Sequence, residues 1–422
     1  MTEAVFRSAM RTVSELQDEG ILLVEDGNHG EYRPRSEEFG EGEYSFIRAA
    51  DLDSGRVLFE SAERINDKAM DRIRKGVGQG GDILFSHKGT VGKLALSPLD
   101  SPPFVCSPQT TLWRSLDQDR LDRRYLYCFM RSRAFTEQWM ARSNETDMAA
   151  YVSLTAQRQL KVAVPTIEEQ RAIARILGAL DEKIEQNRKT AQLLERLARA
   201  TFRAWFVDFE PVKAKAAGAT DFPSMPQSVF DALPTRFVDS DIGPVPEGWE
   251  VLRLDEIILL QRGFDLPKQS RTDGAHPVFA ASGLNGWHSE WKVRGPGVTT
   301  GRSGVLGQVH FVDRDFWPLN TSLWVKEYKR SNPWHAYFLL ETLDLAQFNA
   351  GSAVPTLNRN HVHSLPIVAP PDKLLEAFGQ TCTSTFSLDR QLRTEVDTLA
   401  AMRDYLLPKL LGGDVRVEAV HG

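Results

Sequence analysis

Three short clusters carry side chains whose types and spacing are capable of chemistry. Ser101-Pro102-Pro103-Phe104 matches the motif with which amino-methyltransferases hold a base swung out of the duplex. That chemistry needs a nucleotide-binding βαβ unit with a Gly-rich turn after a strand. Phe39-Gly40-Glu41-Gly42 is the nearest candidate and its spacing is wrong, so a Pro-Pro turn at a domain edge is the reading adopted. His361-Val362-His363 sets two imidazoles at alternate positions, which share a face on a strand. No third ligand is evident nearby, and a polar loop explains the pair more simply. Asp181-Glu182-Lys183 has the make-up of a nuclease centre but falls inside a helical pattern, as a solvated face. No Gly-x-x-x-x-Gly-Lys-Ser/Thr loop marks an ATP motor. No catalytic or metal site is therefore assigned.

Two Gly-rich loops point to binding instead. Glycines let the backbone approach a phosphate and present amides to it. Ser86, His87, Lys88, Thr90 and Lys93 crowd one loop, and Thr300, Arg302 and Ser303 occupy its counterpart. Arg and Lys suit guanine edges or phosphates, and Ser or Thr suit either. A structural turn whose polar groups face water accounts for the same residues. Because the glycines recur while the side chains differ, the glycines are read as structural and the flanking side chains as DNA-contact candidates. Gln109 and Asn320 suit adenine, or alternatively cap buried backbone.

The elements that position these loops come in two copies. Gly80-Gly81-Asp82-Ile83-Leu84-Phe85-Ser86-His87-Lys88-Gly89 returns as Gly295-Pro296-Gly297-Val298-Thr299-Thr300-Gly301-Arg302-Ser303-Gly304, 215 residues on. Gln109-Thr110-Thr111-Leu112-Trp113 is aligned with Asn320-Thr321-Ser322-Leu323-Trp324, 211 on, and Val164-Pro165 with Ala369-Pro370, 205 on. Upstream, Val24-Glu25-Asp26-Gly27 is set against Leu260-Gln261-Arg262-Gly263. The order is kept while the offset shrinks, so the first copy has the longer loops. Duplicated modules with divergent loops suit two different targets. Each copy opens with short strands, at 82–85, 93–96, 298–300 and 308–312, among Gly and Pro. Short helices, as at 123–140, complete it.

Each copy ends in a long helix. Thr166 and Glu169 form a capping box. Ile173, Leu177, Leu180, Ile184, Asn187, Ala191, Leu194, Ala198, Thr201 and Trp205 then alternate steps of four and three, a coiled-coil seam. Asn187 either fixes register or is a wet surface position. The second seam runs from Leu375 through Phe378 and Cys382 to Leu406 and Leu410, and Gly412-Gly413 ends it. At about 40 residues and 1.5 Å per residue each helix spans about 60 Å. Two seams of equal length in one chain predict an antiparallel pair that holds the two modules at opposite ends. Trp205 and Phe378 are read as core, and Phe202, Phe206 and Phe209 as exposed aromatics available to a partner.

Composition sets the outer bounds. The 422 residues suffice for two or three domains, and 26% charged with 41% hydrophobic residues is ordinary for a globular protein. The start lacks a signal-peptide pattern and no apolar run approaches a membrane span. Three scattered cysteines, Cys106, Cys128 and Cys382, suit a reducing cytoplasm. The net charge of −6 lacks the basic footprint usual for a DNA binder. Local patches and partners would then supply the phosphate contacts.

The chain resembles the specificity subunits of Type I restriction–modification systems over nearly its whole length. The marks are Gly81-Asp82-Ile83-Leu84-Phe85-Ser86-His87-Lys88-Gly89-Thr90-Val91-Gly92-Lys93, the helix start at Pro165, Glu169, Gln170 and Ile173, Phe206-Val207-Asp208-Phe209-Glu210-Pro211-Val212-Lys213-Ala214-Lys215, Ile242-Gly243-Pro244-Val245-Pro246-Glu247-Gly248-Trp249, and Leu406-Leu407-Pro408-Lys409-Leu410-Leu411. The resemblance implies a non-catalytic α+β chain: two mixed α/β target-recognition domains, at 1–165 and 248–370, joined by spacer helices at 166–210 and 371–412. A connector at 211–247 and a tail at 413–422 complete it. It implies a bipartite double-stranded DNA site, two methyltransferase subunits that bind S-adenosylmethionine, and restriction subunits that use ATP and Mg. Two rivals stay open: a self-sufficient DNA amino-methyltransferase, and a coiled-coil scaffold for protein assembly.

Overall fold

Strand Ile83–Ser86 is apolar without alternation because both of its faces are covered. Ile83 and Phe85 join Val24 and Trp113 against the helices that carry Tyr125, Phe129 and Phe135. Leu84 faces the other way with Ala95, Phe104 and Leu112. Trp113 and Phe85 meet Phe135 edge-on at 5.7 and 6.4 Å. Such pairs add about 0.5–1.5 kcal/mol each beyond their buried area.

The structure is a computed structural model describing residues 10–28, 30–143, 150–349 and 355–415. It divides into two units, residues 1–187 with 395–422, and residues 188–394. The first unit holds an antiparallel sheet ordered Leu22–Asp26, Thr110–Ser115, Ile83–Ser86, Leu94–Leu96. A second sheet is ordered Arg64–Ile65, Phe39–Ile47, Phe104–Cys106, Val77–Gly78, with 39–47 and 104–106 parallel. Met10–Thr12 pairs with Lys161–Ala163.

The second unit repeats this plan. Its main sheet is ordered Ile258–Arg262, Ser322–Tyr328, Gly297–Gly301, Val309–Val312. Gly283–His288, His276–Ala280 and Trp317–Pro318 form the second sheet, again with one parallel pair. The fourth strand of the first copy is reduced here to a bridge between Val293 and Phe316. Glu250–Arg253 pairs with Pro366–Ala369.

Register corrects one part of the sequence alignment. Thr111 lies opposite Asp26, and Leu323 lies opposite Arg262. Thr110 faces Ser86, and Ser322 faces Gly301. The strands therefore match at an offset of 212, one more than the Leu-Trp identities suggested. A one-residue slip moves a side chain to the other face of a strand. So Trp113 lies on the helical side of its sheet, whereas Trp324 packs against the cluster of Val293, Val312 and Phe316 between the sheets. The upstream match of 24–27 with 260–263 holds in the strand pairing.

The first long helix, Ile167–Phe202, continues into a π-helical turn, Arg203–Val207. Thr166 and Glu169 form the expected reciprocal cap, amide to side chain, at 3.2 and 3.4 Å. The second, Asp372–Gly412, ends where Gly413 takes φ +73° and its amide donates to the Leu410 carbonyl. Of the first seam, Ile173, Leu177, Ile184, Asn187, Ala191, Ala198, Thr201 and Trp205 are buried. The pairing is antiparallel within each unit. In the first, Ile173 and Leu177 cluster with Leu410 and Leu411, and Asp181 binds Arg403 at 2.9 Å. In the second, Glu195 binds Arg393, and Phe202 and Trp205 pack on Phe378. The unit boundary thus falls inside the helices, since each half of a seam is buried against the opposite half of the other. Among the described residues no helix is long and apolar enough to cross a membrane.

Candidate nucleic-acid interface

In both copies four segments meet at one end of the main sheet, and main-chain hydrogen bonds hold them in the same frame. In the first copy the His87 amide donates to the Gln109 carbonyl, the Val152 amide to His87, and the Gly89 amide to Ala150. In the second, the Arg302 amide donates to Thr321, the Leu357 amide to Arg302, and the Gly304 amide to Pro355. Gly27 and Gly263 close the frame, their amides donating to the Thr110 and Ser322 carbonyls. A Cβ at Gly27 would lie 1.9 Å from the Ser107 carbonyl oxygen, and one at Gly263 2.2 Å from that of Leu319. Both glycines are needed for this close approach of one backbone to another.

Several candidate residues belong to the frame itself. Ser86 is fully buried and its hydroxyl accepts from the Lys93 amide at 2.8 Å. His87 is fully buried, with Nδ1 3.2 Å from the Val152 carbonyl and Nε2 3.2 Å from Asp26. The Lys93 ammonium donates to the Ala49 carbonyl at 3.0 Å. Thr300 is buried and its hydroxyl donates to the Gln308 carbonyl at 2.9 Å. Reading Ser86, His87 and Thr300 as base contacts is corrected on this geometry, because a base edge does not reach them.

The remaining candidates stand at the open end. Lys88, Thr90 and Gln109 are exposed, and the Lys88 ammonium lies 5.9 Å from the Tyr151 ring centre. Arg302, Ser303 and Asn320 are half-buried. Arg302 donates to the Asn320 carbonyl at 3.2 Å, and the Asn320 amide nitrogen donates to Asp265. Arg262 lies 3.8 Å from Asp265, so the second cluster carries two guanidiniums. Sequence reading missed Arg33, Arg48 and Arg262. Arg33-Pro34-Arg35 was a visible basic run, but only the fold brings Arg33 and Arg48 beside Lys88 and Gln109, in a pocket of about 380 Å³.

The aromatic trio near the helix end requires a second correction. Phe202 and Phe206 are 1% and 9% exposed and pack with Phe378 and His335 in the core of the second unit. Phe209, half-buried, packs edge-on to Trp249 at 5.6 Å. Their burial follows from the π-turn, which keeps this segment on the seam's face.

The clusters capable of catalysis are occupied structurally. Asp181 binds Arg131 at 2.6 Å and Arg403 at 2.9 Å, and Glu182 binds Arg124. His363 is on a short helix, Arg359–His363, rather than in a loop, and its Nε2 accepts from the Leu260 amide. Among the described residues no group of three or more His, Cys, Asp or Glu could hold a metal. Phe104 is fully buried in a strand, unavailable to stack on a base. Burial pushes the thiols of Cys106, Cys128 and Cys382 up to about 12, far from a reactive thiolate.

Residues 24–196 match the family described as the Type I restriction modification DNA specificity domain. The MjaIX specificity subunit of Methanocaldococcus jannaschii is 24% identical over 411 residues, covering 90% of this chain and 89% of the relative. The HindI specificity subunit of Haemophilus influenzae is 23% identical, covering 88% and 94%. The crystal structure of the Type I system S subunit from M. genitalium shares the fold, with a TM-score of 0.61 at 16% identity and 97% of each chain covered. With its two hydrogen-bonded loop frames on paired long helices, the chain is similar over nearly its whole length to specificity subunits of Type I restriction–modification systems, and residues 24–196 carry the match to their DNA specificity domain.

Proposed function

We propose that the chain recognises a bipartite DNA site, one half through the loop cluster of the first copy and the other through that of the second. The observation that carries this reading is one main-chain frame built twice with different side chains at its open end. Such a frame fixes where a side chain stands and leaves its identity free. Arg302 and Arg262 suit guanine in the major groove, and Gln109 suits adenine. The chain acts by binding alone. Two methyltransferase subunits supply S-adenosylmethionine and the pocket for a flipped adenine, and restriction subunits supply ATP and Mg chemistry. The burial of Phe104 in a strand, where it is unavailable to hold a flipped base, favours this over a self-sufficient amino-methyltransferase.

The two long helices fit the role of a spacer. One heptad inserted after Arg188, matched by one after Thr394, preserves the alternation of three and four. It adds about 10 Å of helix, or about three base pairs at roughly 3.4 Å each. Mapping methylated adenines in cells carrying the variant complex should show unchanged half-sites with a longer spacer. Methylation at the original spacer would remove the helices as the ruler. A purified chain that footprints no specific sequence, with or without its partners, would favour the scaffold reading instead.

A further inference from the structure

The first copy has a pocket that the frame does not require. Arg33, Arg48, Lys88 and Gln109 line it, with Phe39 and Phe46 forming an apolar side. Three of these residues are cationic. Arg48 lies over both rings, 5.4 Å from the centre of Phe39 and 5.6 Å from that of Phe46, and pairs with Glu63. Its amide donates to Asp51 at 2.8 Å, which anchors the backbone at that position. Arg33 and Lys88 are exposed, and among the described residues neither forms an ion pair with an acid. A pocket of about 380 Å³ is larger than a water site and roomy enough for a phosphate and part of its sugar.

Two of the pocket's cations are particular to this copy. Ile47 and Phe279 are equivalent, since their carbonyls accept from the Ser107 and Leu319 amides respectively. The position of Arg48 is therefore Ala280 in the second copy, and that of Lys88 is Ser303. The cations are a side-chain addition to a shared frame, placed beside the exposed Gln109.

We infer that this pocket holds a backbone phosphate of the DNA flanking the half-site read by the first copy. The inference rests on the DNA-recognition reading above. Arg33 and Lys88 neutralise the phosphate from the rim. Arg48, held beside two phenyl rings and Glu63, presents its remaining N–H groups to the pocket. Such a contact positions the duplex without reading sequence.

The test uses the full chain assembled with its methyltransferase partners. Binding of the mapped duplex and of a scrambled duplex is measured across salt, for wild type and for R33A/K88A. Both side chains are exposed, and thermal unfolding checks that the variant folds. The salt slope should fall by about two, one for each cation. Between 50 and 200 mM salt the wild type should then lose about tenfold more affinity than the variant, on both duplexes. Duplexes carrying one neutral methylphosphonate linkage in turn should reveal a position that weakens the wild type and leaves R33A/K88A unaffected. Inorganic phosphate, as a free competitor, should not displace DNA at millimolar concentration; displacement there would point to a free anion as the ligand and overturn the assignment. An unchanged slope, or a changed methylated sequence in R33A/K88A, would also overturn it. If the wild type itself binds no sequence selectively, the recognition reading fails before this one is reached.

Discussion

The two copies share a frame and differ in what they place on it. Where the first has Asp26 beside a buried His87, the second has Arg262 and Arg302. The difference extends inside. In the first copy Gln157 is fully buried and its carbonyl oxygen accepts from the Thr111 hydroxyl at 2.9 Å and the Trp113 indole at 3.2 Å. The strand register and the short helices Leu154–Arg158 and Arg359–His363 put Val362, Leu323 and Val325 at those positions in the second. A hydrogen-bonded trio in one copy is an apolar trio in the other. Both solutions satisfy a buried site, because a polar group costs energy there only when its partner is missing. What is common is the backbone's own hydrogen bonding.

If the frame rather than the side chains is shared, breaking it should act alike in both copies. Gly27→Ala and Gly263→Ala each drive a Cβ into a carbonyl of the neighbouring loop. Each should lower stability by about 1–3 kcal/mol, as overpacking does, and abolish recognition of its own half-site. Thermal unfolding and methylation mapping of the two variants check this. A glycine variant that alters both half-sites, or neither, would break the comparison.

Arg302→Ala should act on one half-site alone. A bidentate base contact contributes about 1–3 kcal/mol of discrimination, so the base at one position of the second half-site should relax. If binding weakens equally on all sequences and the salt slope drops by about one, Arg302 holds phosphate instead.

The interior difference predicts an asymmetry in stability. Gln157→Leu strips the acceptor from Thr111 and Trp113 and should cost about 1–3 kcal/mol. Val362→Ala in the second copy removes only apolar contact, and its cost should fall when Leu323 is replaced by a bulkier apolar residue. Chemical denaturation of the variants decides between them; equal, uncompensated losses would deny that the copies solve the site differently.

The smallest effect concerns the loop that carries Arg33 and Arg35 in the first copy. Arg72 grips Glu38 with two hydrogen bonds of 2.7 and 2.6 Å, and the Arg35 amide adds a third of 2.8 Å. These hold the Glu38 carboxyl down from 4.5 to about 2. A carboxyl lowered by folding contributes stability above its unfolded value and loses it as pH falls through the folded one. The stability gap between wild type and Glu38→Gln should therefore be full at neutral pH and close between about pH 4.5 and 2. A gap independent of pH in acid titrations would remove the ion pair as its source.

Local order in the sequence determined much of this protein. The seams from Ile173 to Trp205 and from Leu375 to Leu410, the Thr166–Glu169 cap and the glycine stop were legible because helices follow short-range periodicity and capping chemistry. The repeat was legible because two frames need glycine where backbones approach closely. Tertiary structure alone decided the rest. The pairing register, which set Trp113 and Trp324 on opposite faces, depends on hydrogen bonds to strands far away in the chain. Whether a polar loop residue serves the frame or faces outward is likewise set by distant partners. Ser86 and His87 were taken inward by Lys93, Val152 and Asp26, while Arg33 and Arg48 were gathered beside Lys88 from separate segments. Packing between remote residues leaves no periodic trace in one sequence, so the fold and its seams could be read there, but the composition of the binding surface could not.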